Sequence, residues 1–104
     1  FERLNDFTVV LREGATADPF HALDVGRDAT VCAADWDGDG DIDVLVGNAG
    51  PGAPEVKYLE RLDDFTLVLR GGATTDPFKV YTLDSFLAPS AADWDGDGDL
   101  DLLV

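Results

Sequence analysis

The sequence predicts an all-β fold built from repeated four-stranded antiparallel sheets, and three observations predict it. The chain repeats itself without gaps. Its apolar residues fall in runs of strand length. Those runs are separated by Gly, Pro, Asn and Asp, with no helical period of useful length. Phe1–Phe20 (FERLNDFTVVLREGATADPF) recurs at Leu59–Phe78 (LERLDDFTLVLRGGATTDPF), and Ala33–Val46 (AADWDGDGDIDVLV) recurs at Ala91–Val104 (AADWDGDGDLDLLV). Both pairs share one offset of 58 residues, and more than half of the aligned positions are identical. Repeat 1 is residues 1–58 and repeat 2 is residues 59–104, truncated because it has no counterpart of Gly47–Tyr58. A fixed period of this size marks a repeat architecture.

The elements follow in order. Ala29–Ala34 reads as a short strand entering the first acidic loop. Ile42–Val46 leaves that loop and is rich in β-branched residues. Asn48–Pro54 is a Gly/Pro/Asn turn. Val56–Leu62 is a third strand. Phe65–Arg70 is a fourth, with Phe65, Leu67 and Leu69 on one face and Thr66, Val68 and Arg70 on the other. Gly71–Pro77 is a loop. Residues 21–32 and 79–90 match least between repeats, as a surface connection free to vary would. Four short strands per repeat fit the blade of a β-propeller. The strand order starts with the third and fourth strands of one blade, passes through one whole blade, and ends with the first and second strands of another. The expectation is two blade equivalents per chain, with half-blades at both termini and residues 1–104 forming part of one propeller.

The acidic loops carry the chemistry. Asp35–Asp43 reads DWDGDGDID and Asp93–Asp101 reads DWDGDGDLD, and together they hold ten of the 22 acidic residues. Each has carboxylates at positions 1, 3, 5 and 9. Ca²⁺ takes about six to eight hard oxygen ligands, and alternate residues of a tightly coiled loop aim several oxygens at one centre. The glycines at Gly38 and Gly40 permit the positive φ that such coiling needs. Asp41 at position 7 would offer its backbone carbonyl, as position 7 does in an EF-hand. Two carboxylates about 4 Å apart repel by roughly 4 kcal/mol at an effective dielectric near 20, so the loop needs a cation to fold well. A hard oxygen set without His or Cys favours Ca²⁺ over Zn²⁺, and Mg²⁺ fits worse because it keeps its waters. An exposed acidic turn that binds nothing is the bland alternative, and two loops of matching spacing argue against it. An EF-hand needs a bidentate Glu at position 12 and flanking helices; position 12 here is Val46 and Val104, inside apolar strands.

The pattern Asp-x-Asp-Gly-Asp-Gly-x-x-Asp, followed by an apolar strand and Val-Gly-Asn, resembles the FG-GAP/VCBS repeats, the blades of integrin-α-like propellers. No Phe-Gly pair precedes the loop, which places the sequence nearer the VCBS type. The resemblance implies Ca²⁺ on the hairpin between the first two strands of a blade, two ions per chain. It implies side-chain ligands Asp35, Asp37, Asp39 and Asp43 in one loop and Asp93, Asp95, Asp97 and Asp101 in the other. The backbone carbonyls of Asp41 and Asp99 complete the sets.

The rest of the sequence bounds the function. A net charge of −15 over 104 residues leaves no basic surface for nucleic acid. No apolar run approaches the length of a membrane span. Cys32 stands alone, so no intrachain disulfide forms, and it reads as a small buried apolar residue. Without Met or a signal-like start, the chain reads as a fragment or a processed product. Trp36 and Trp94, at position 2 of the loops, read as packing between blades, against the alternative of sugar-stacking platforms. His21 reads as a surface residue, Asp18-Pro19-Phe20 and Asp76-Pro77-Phe78 as turns with an anchoring aromatic, and Glu60, Arg61, Asp63 and Asp64 as exposed strand-end charges. No catalytic set stands out. The expected function is a Ca²⁺-stabilised, non-catalytic scaffold or protein-interaction and adhesion module, extracellular, secreted or at the cell surface, or in an organellar lumen. A carbohydrate-binding propeller is the alternative, and part of a secreted lyase or hydrolase a weaker one. The expected partners are other copies or further blades completing a ring of roughly six to eight blades, with a protein or glycan as ligand.

Overall fold

Short apolar runs broken by Asp-Gly and Gly-Pro turns fold as hairpins, and the computed structural model of the protein is made of them. It describes residues 2–5, 7–11, 13–14, 18–48, 54–63, 66–71, 77–78 and 87–104. Eight strands occur among these residues: β1 (Glu2–Asn5), β2 (Thr8–Val10), β3 (Thr30–Ala34), β4 (Asp43–Asn48), β5 (Glu55–Asp63), β6 (Thr66–Leu69), β7 (Ser90–Ala92) and β8 (Asp101–Leu103). They form a central four-stranded sheet, β3-β4-β5-β6, and two-stranded sheets β1-β2 and β7-β8. Every pairing is antiparallel. The described residues contain no helix.

The repeat is visible in the pairing. In β1-β2 the register shifts between Arg3 and Asn5; in β5-β6 it shifts between Arg61 and Asp63, the equivalent place. The side chain that follows each shift closes the turn: Asn5 Oδ1 accepts the Phe7 N–H, and Asp63 Oδ2 accepts the Thr66 hydroxyl. Asx side chains of this kind stand in for a backbone turn.

Register divides the central sheet into two faces. Cys32, Leu45 and Tyr58 are successive partners across β3, β4 and β5 and share one face. Ala33, Val44, Leu59 and Leu69 share the other. The first face carries the core: Leu45, Val56 and Tyr58 are buried with Leu87, and Cys32, Trp36, Phe78, Ala91 and Leu102 pack around them. Ala91 and Leu102 belong to β7 and β8, so the second repeat covers the first. Each large apolar side chain buried here stabilises the fold by about 1.5–3 kcal/mol.

Several boundaries differ from the sequence expectation. Ala29 precedes β3. Asn48, expected in a turn, extends β4: it pairs with Glu55, and its Nδ2 donates to the Val25 carbonyl at 2.8 Å. That tie gives the buried amide a partner it would otherwise lack. Residues 49–53 and 72–76, where a turn and a loop are expected, lie outside the described residues in full, as do Phe65 and residues 79–86. The expectation that 79–90 is a surface connection fails at its end. Leu87 and Pro89 are buried because they cross Gly47 on β4. Glu60 and Arg61 are half-buried rather than exposed, and Glu60 pairs with Arg70. Asp63 is exposed, and Asp64 lies outside the described residues. Cys32 is half-buried and its Sγ accepts the Ala91 N–H.

Two substitutions test this packing. Leu45→Ala should lower stability by about 2–5 kcal/mol in denaturant titration, the usual range for a buried Leu truncation. Gly47→Ala should cost about 1–3 kcal/mol by overpacking, since a Cβ there would lie 2.4 Å from the Leu87 carbonyl oxygen and 2.8 Å from Pro89 Cδ. Gly14→Ala adds a methyl group to open space but at positive φ, so its cost isolates backbone strain from overpacking.

Candidate metal centre

Each acidic loop is the connection of a hairpin, β3 to β4 and β7 to β8, so the strands fix where its ends stand. Inside the loops φ is positive at Gly38 (77°), Gly40 (97°), Gly96 (80°) and Gly98 (100°), the coiling expected of both glycines. The carboxylates then fold back on the loop's own backbone. Asp35 Oδ2 accepts the Gly40 N–H at 3.0 Å, Asp37 Oδ1 the Asp39 N–H at 3.2 Å, and Asp39 Oδ1 the Asp41 N–H at 2.8 Å. The second loop repeats this set. Asp93 Oδ2 accepts from Gly98 at 3.1 Å, Asp95 Oδ1 from Asp97 at 3.1 Å, and Asp97 Oδ1 from Asp99 at 2.9 Å.

The structure brings carboxylate oxygens of Asp35, Asp37 and Asp39 within 4.8 Å of one another, and likewise those of Asp93, Asp95 and Asp101. Asp43 does not join the first group and Asp97 does not join the second. Superposed by the repeat, the two groups cover positions 1, 3, 5 and 9. The side chain of Asp41 turns away toward Arg61, with 3.7 Å between Oδ1 and Nη1.

One oxygen of the first group is an orphan. Asp35 Oδ1 is out of reach of solvent and has no hydrogen-bond partner. In the second loop the equivalent Asp93 Oδ1 accepts the Gly96 N–H at 2.7 Å. A buried carboxylate oxygen without a donor costs about 1–3 kcal/mol or more, and a cation is the partner that removes the cost. The donor set is all oxygen, several carboxylates converge, and the orphan oxygen is on Asp35, a member of the group. The residues therefore fit a hard divalent cation.

The sequence did not single out what holds the first loop to the sheet. Asp43 is fully buried at the start of β4. Its Oδ2 accepts the Trp36 N–H at 3.1 Å and the Tyr58 hydroxyl at 3.2 Å, and its Oδ1 accepts the Arg61 N–H at 2.8 Å. The Tyr58 hydroxyl also lies 3.3 Å from Asp37 Oδ2. The signal that could have found Tyr58 is its period: on β5 it alternates with Lys57 and Leu59 and faces the core side beside the loop. Asp101 Oδ2 accepts the Trp94 N–H at 3.0 Å, the same clasp as Asp43 on Trp36.

Electrostatics agree with this geometry. Desolvation raises the Asp37 carboxyl above its ordinary value, and the Asp43 and Asp39 charges add to it; the Asp39 N–H and the Tyr58 hydroxyl act the other way. Burial pushes the Tyr58 hydroxyl up, and the charges of Asp43 and Asp37 push it further, so it stays a donor. A raised carboxyl favours the folded state below its unfolded pKa and loses that contribution as pH rises through the folded value. At neutral pH the charged Asp37 thus disfavours the folded loop, and a cation at the group would relieve it.

The aromatic residues divide. Trp36 packs on the core and stacks at a tilt on Phe78, with 5.3 Å between ring centroids and 50° between planes. Trp94 is 74% exposed. Phe20 is 49% exposed, and Ile42, Val44 and Leu67 line the same cleft of about 310 Å³. His21 is exposed.

Two outcomes follow. Without divalent cation, Asp35→Asn should raise the melting temperature, because one repelling charge is removed, by the equivalent of about 1 kcal/mol. With millimolar Ca²⁺ the order should reverse. Cation affinity should also fall as pH is lowered into the carboxylate range, since the raised Asp37 carboxyl takes up its proton early; titration calorimetry at several pH values reads this.

The family model described as FG-GAP-like repeat matches residues 35–104, more than half of the chain, from the first Asp of the first loop through the second loop. No curated protein and no solved structure matches the chain. Both acidic loops and strands β4 to β8 thus stand inside one matched segment, and the chain belongs to the FG-GAP-like repeat family.

Proposed function

We propose that the chain is a Ca²⁺-stabilised β-propeller module that serves as a scaffold or interaction unit and carries no reaction of its own. The orphaned Asp35 Oδ1 inside a converging carboxylate group is the observation that carries the metal half of this reading. The ligands are Asp35, Asp37, Asp39 and the Asp41 carbonyl, with Asp43 held behind them by its own hydrogen bonds. In the second loop they are Asp93, Asp95, Asp97, Asp101 and the Asp99 carbonyl. Ca²⁺ suits such a set because it accepts irregular oxygen geometry, which Mg²⁺ does not.

The role proposed for the ion is structural. It gathers the charges that otherwise oppose hairpin closure and so holds the first two strands of each blade. Further blades, from the same protein or from other copies, complete the ring. FG-GAP repeats typically occur in extracellular proteins, where Ca²⁺ is abundant, and that setting is the one proposed here. No helix among the described residues is long and apolar enough to cross a membrane.

One observation supports the carbohydrate reading as a second possibility: Trp94 presents most of its indole to solvent beside an acidic loop. Binding of a glycan array by the protein, lost on Trp94→Ala, would favour it.

Melting with Ca²⁺, with Mg²⁺ and with chelator tests the proposal. At a concentration 100 times its dissociation constant, Ca²⁺ should stabilise by about 2.7 kcal/mol per site. Mg²⁺ should do much less. A melting curve unchanged by chelation overturns the structural-metal reading. Solution mass in Ca²⁺ reads the assembly.

A further inference from the structure

We propose that Tyr58 is the positioning residue of the first loop, and that through it β5, the third strand of the blade, is tightened when the loop holds a divalent cation. The inference rests on Ca²⁺ binding by that loop.

The geometry is a chain of contacts. Tyr58 is 5% exposed, and its ring sits in the core with Leu45, Val56 and Leu87. Only its hydroxyl reaches the loop. There it stands between two carboxylates, 3.3 Å from Asp37 Oδ2 and 3.2 Å from Asp43 Oδ2. A phenol has one proton to donate, so it serves one carboxylate at a time. Asp37 belongs to the converging group; Asp43 does not. The other oxygen of Asp43 accepts the Arg61 N–H at 2.8 Å, three residues along β5 from Tyr58. Loop, hydroxyl, buried carboxylate and strand are therefore linked in series.

The two states differ in where the hydroxyl bond goes. With no cation, Asp37 and Asp43 compete for it. With Asp37 turned to a cation, the hydroxyl is left to Asp43, which is then fixed by three donors from three places: Trp36, Tyr58 and Arg61. A fully buried carboxylate held this way keeps Arg61 in register. Occupancy of the loop thus reaches a strand that contributes no ligand. The bulge between Arg61 and Asp63 follows at once, so the gain in order falls where the β5-β6 pairing is least regular.

Terbium luminescence separates the loops, because each has one tryptophan at position 2. In Trp94→Phe the signal comes from Trp36 and the first loop; in Trp36→Phe it comes from Trp94 and the second. Tyr58→Phe keeps the ring in the core and removes the hydroxyl. The hydroxyl is bonded in both states, so only the difference between them is lost, and terbium, with Ca²⁺ in competition with it, should weaken roughly fivefold at the first loop, the low end of a coupling free energy. The second loop should be unchanged. Equal weakening of both loops, or a change within about twofold at the first, overturns the inference. The parent protein supplies a measurement that needs no variant. Amide exchange at Arg61 should slow on adding Ca²⁺ by a larger factor than exchange at Val68 on β6; equal factors overturn the inference. Absence of binding in the parent overturns the calcium reading and this inference with it, whereas binding that is insensitive to Tyr58→Phe overturns this inference alone.

Discussion

The buried carboxylate of Asp43 is the constraint around which the first repeat is arranged. A carboxylate without solvent must find donors within the protein. Asp43 finds them in the loop before it (Trp36), in the strand beside it (Arg61), and in a side chain that rises from the core (Tyr58). No single element supplies all three. The loop must coil for the Trp36 N–H to point inward, and β5 must pair with β4 in one register for Arg61 to arrive. A one-residue slip of β5 would turn Tyr58 to the opposite face and withdraw the Arg61 N–H together. The carboxylate therefore specifies register more than it adds stability.

The second constraint is that one repeat's sheet is buried by the next repeat. The repeat gives an internal comparison, because equivalent residues occupy unequal surroundings. Leu45 is fully buried, while its equivalent Leu103 is 40% exposed. Trp36 packs against the core and Phe78, while Trp94 points largely to solvent. Sequence and local fold are the same in each pair, so the difference comes from what lies alongside. Ala91 and Leu102 cover the core face of the central sheet, and Gly47 lets the Leu87–Pro89 segment pass close over β4. Stability in such an array belongs to interfaces between units as much as to units.

This explains which features were legible in the sequence. The strands, their order and the two loops follow from short-range pattern: alternation, Asp-Gly turns and the repeat itself. The positive φ at Gly38 and Gly40 is of the same kind. Asn48 was misread as a turn residue because Asn beside Gly/Pro usually is one, and its partner, the Val25 carbonyl, lies 23 residues away. Leu87 and Pro89 were misread because their segment varies between repeats, which says nothing about a neighbour's backbone crossing Gly47. Arg61 looked like a surface charge, yet its backbone N–H is what matters, and no side-chain pattern reports a backbone donor. Tyr58 needed both register and loop position to be noticed. The candidate ligands stand apart from these, since the carboxylate pattern names candidates and the fold distributes them: Asp35, Asp37 and Asp39 converge while Asp43 is drawn inward.

Placing the charge at hairpin ends lets a chain with a net charge of −15 fold at all. Ten carboxylates spread along strands would oppose every pairing; gathered in two loops, they oppose only the closure of those loops. Hydrogen bonds from the loop backbone to Asp35, Asp37 and Asp39 offset part of the repulsion, because each N–H turned inward presents a partial positive charge. They leave Asp35 Oδ1 unserved. The backbone can supply one donor per residue, and the glycine-coiled loop has already spent those that point to the centre. What remains is negative charge with oxygen on several sides, and an arrangement of that kind fits a divalent cation. The loop's coil and its fit to a cation are thus one property, set by the same alternation of Asp and Gly.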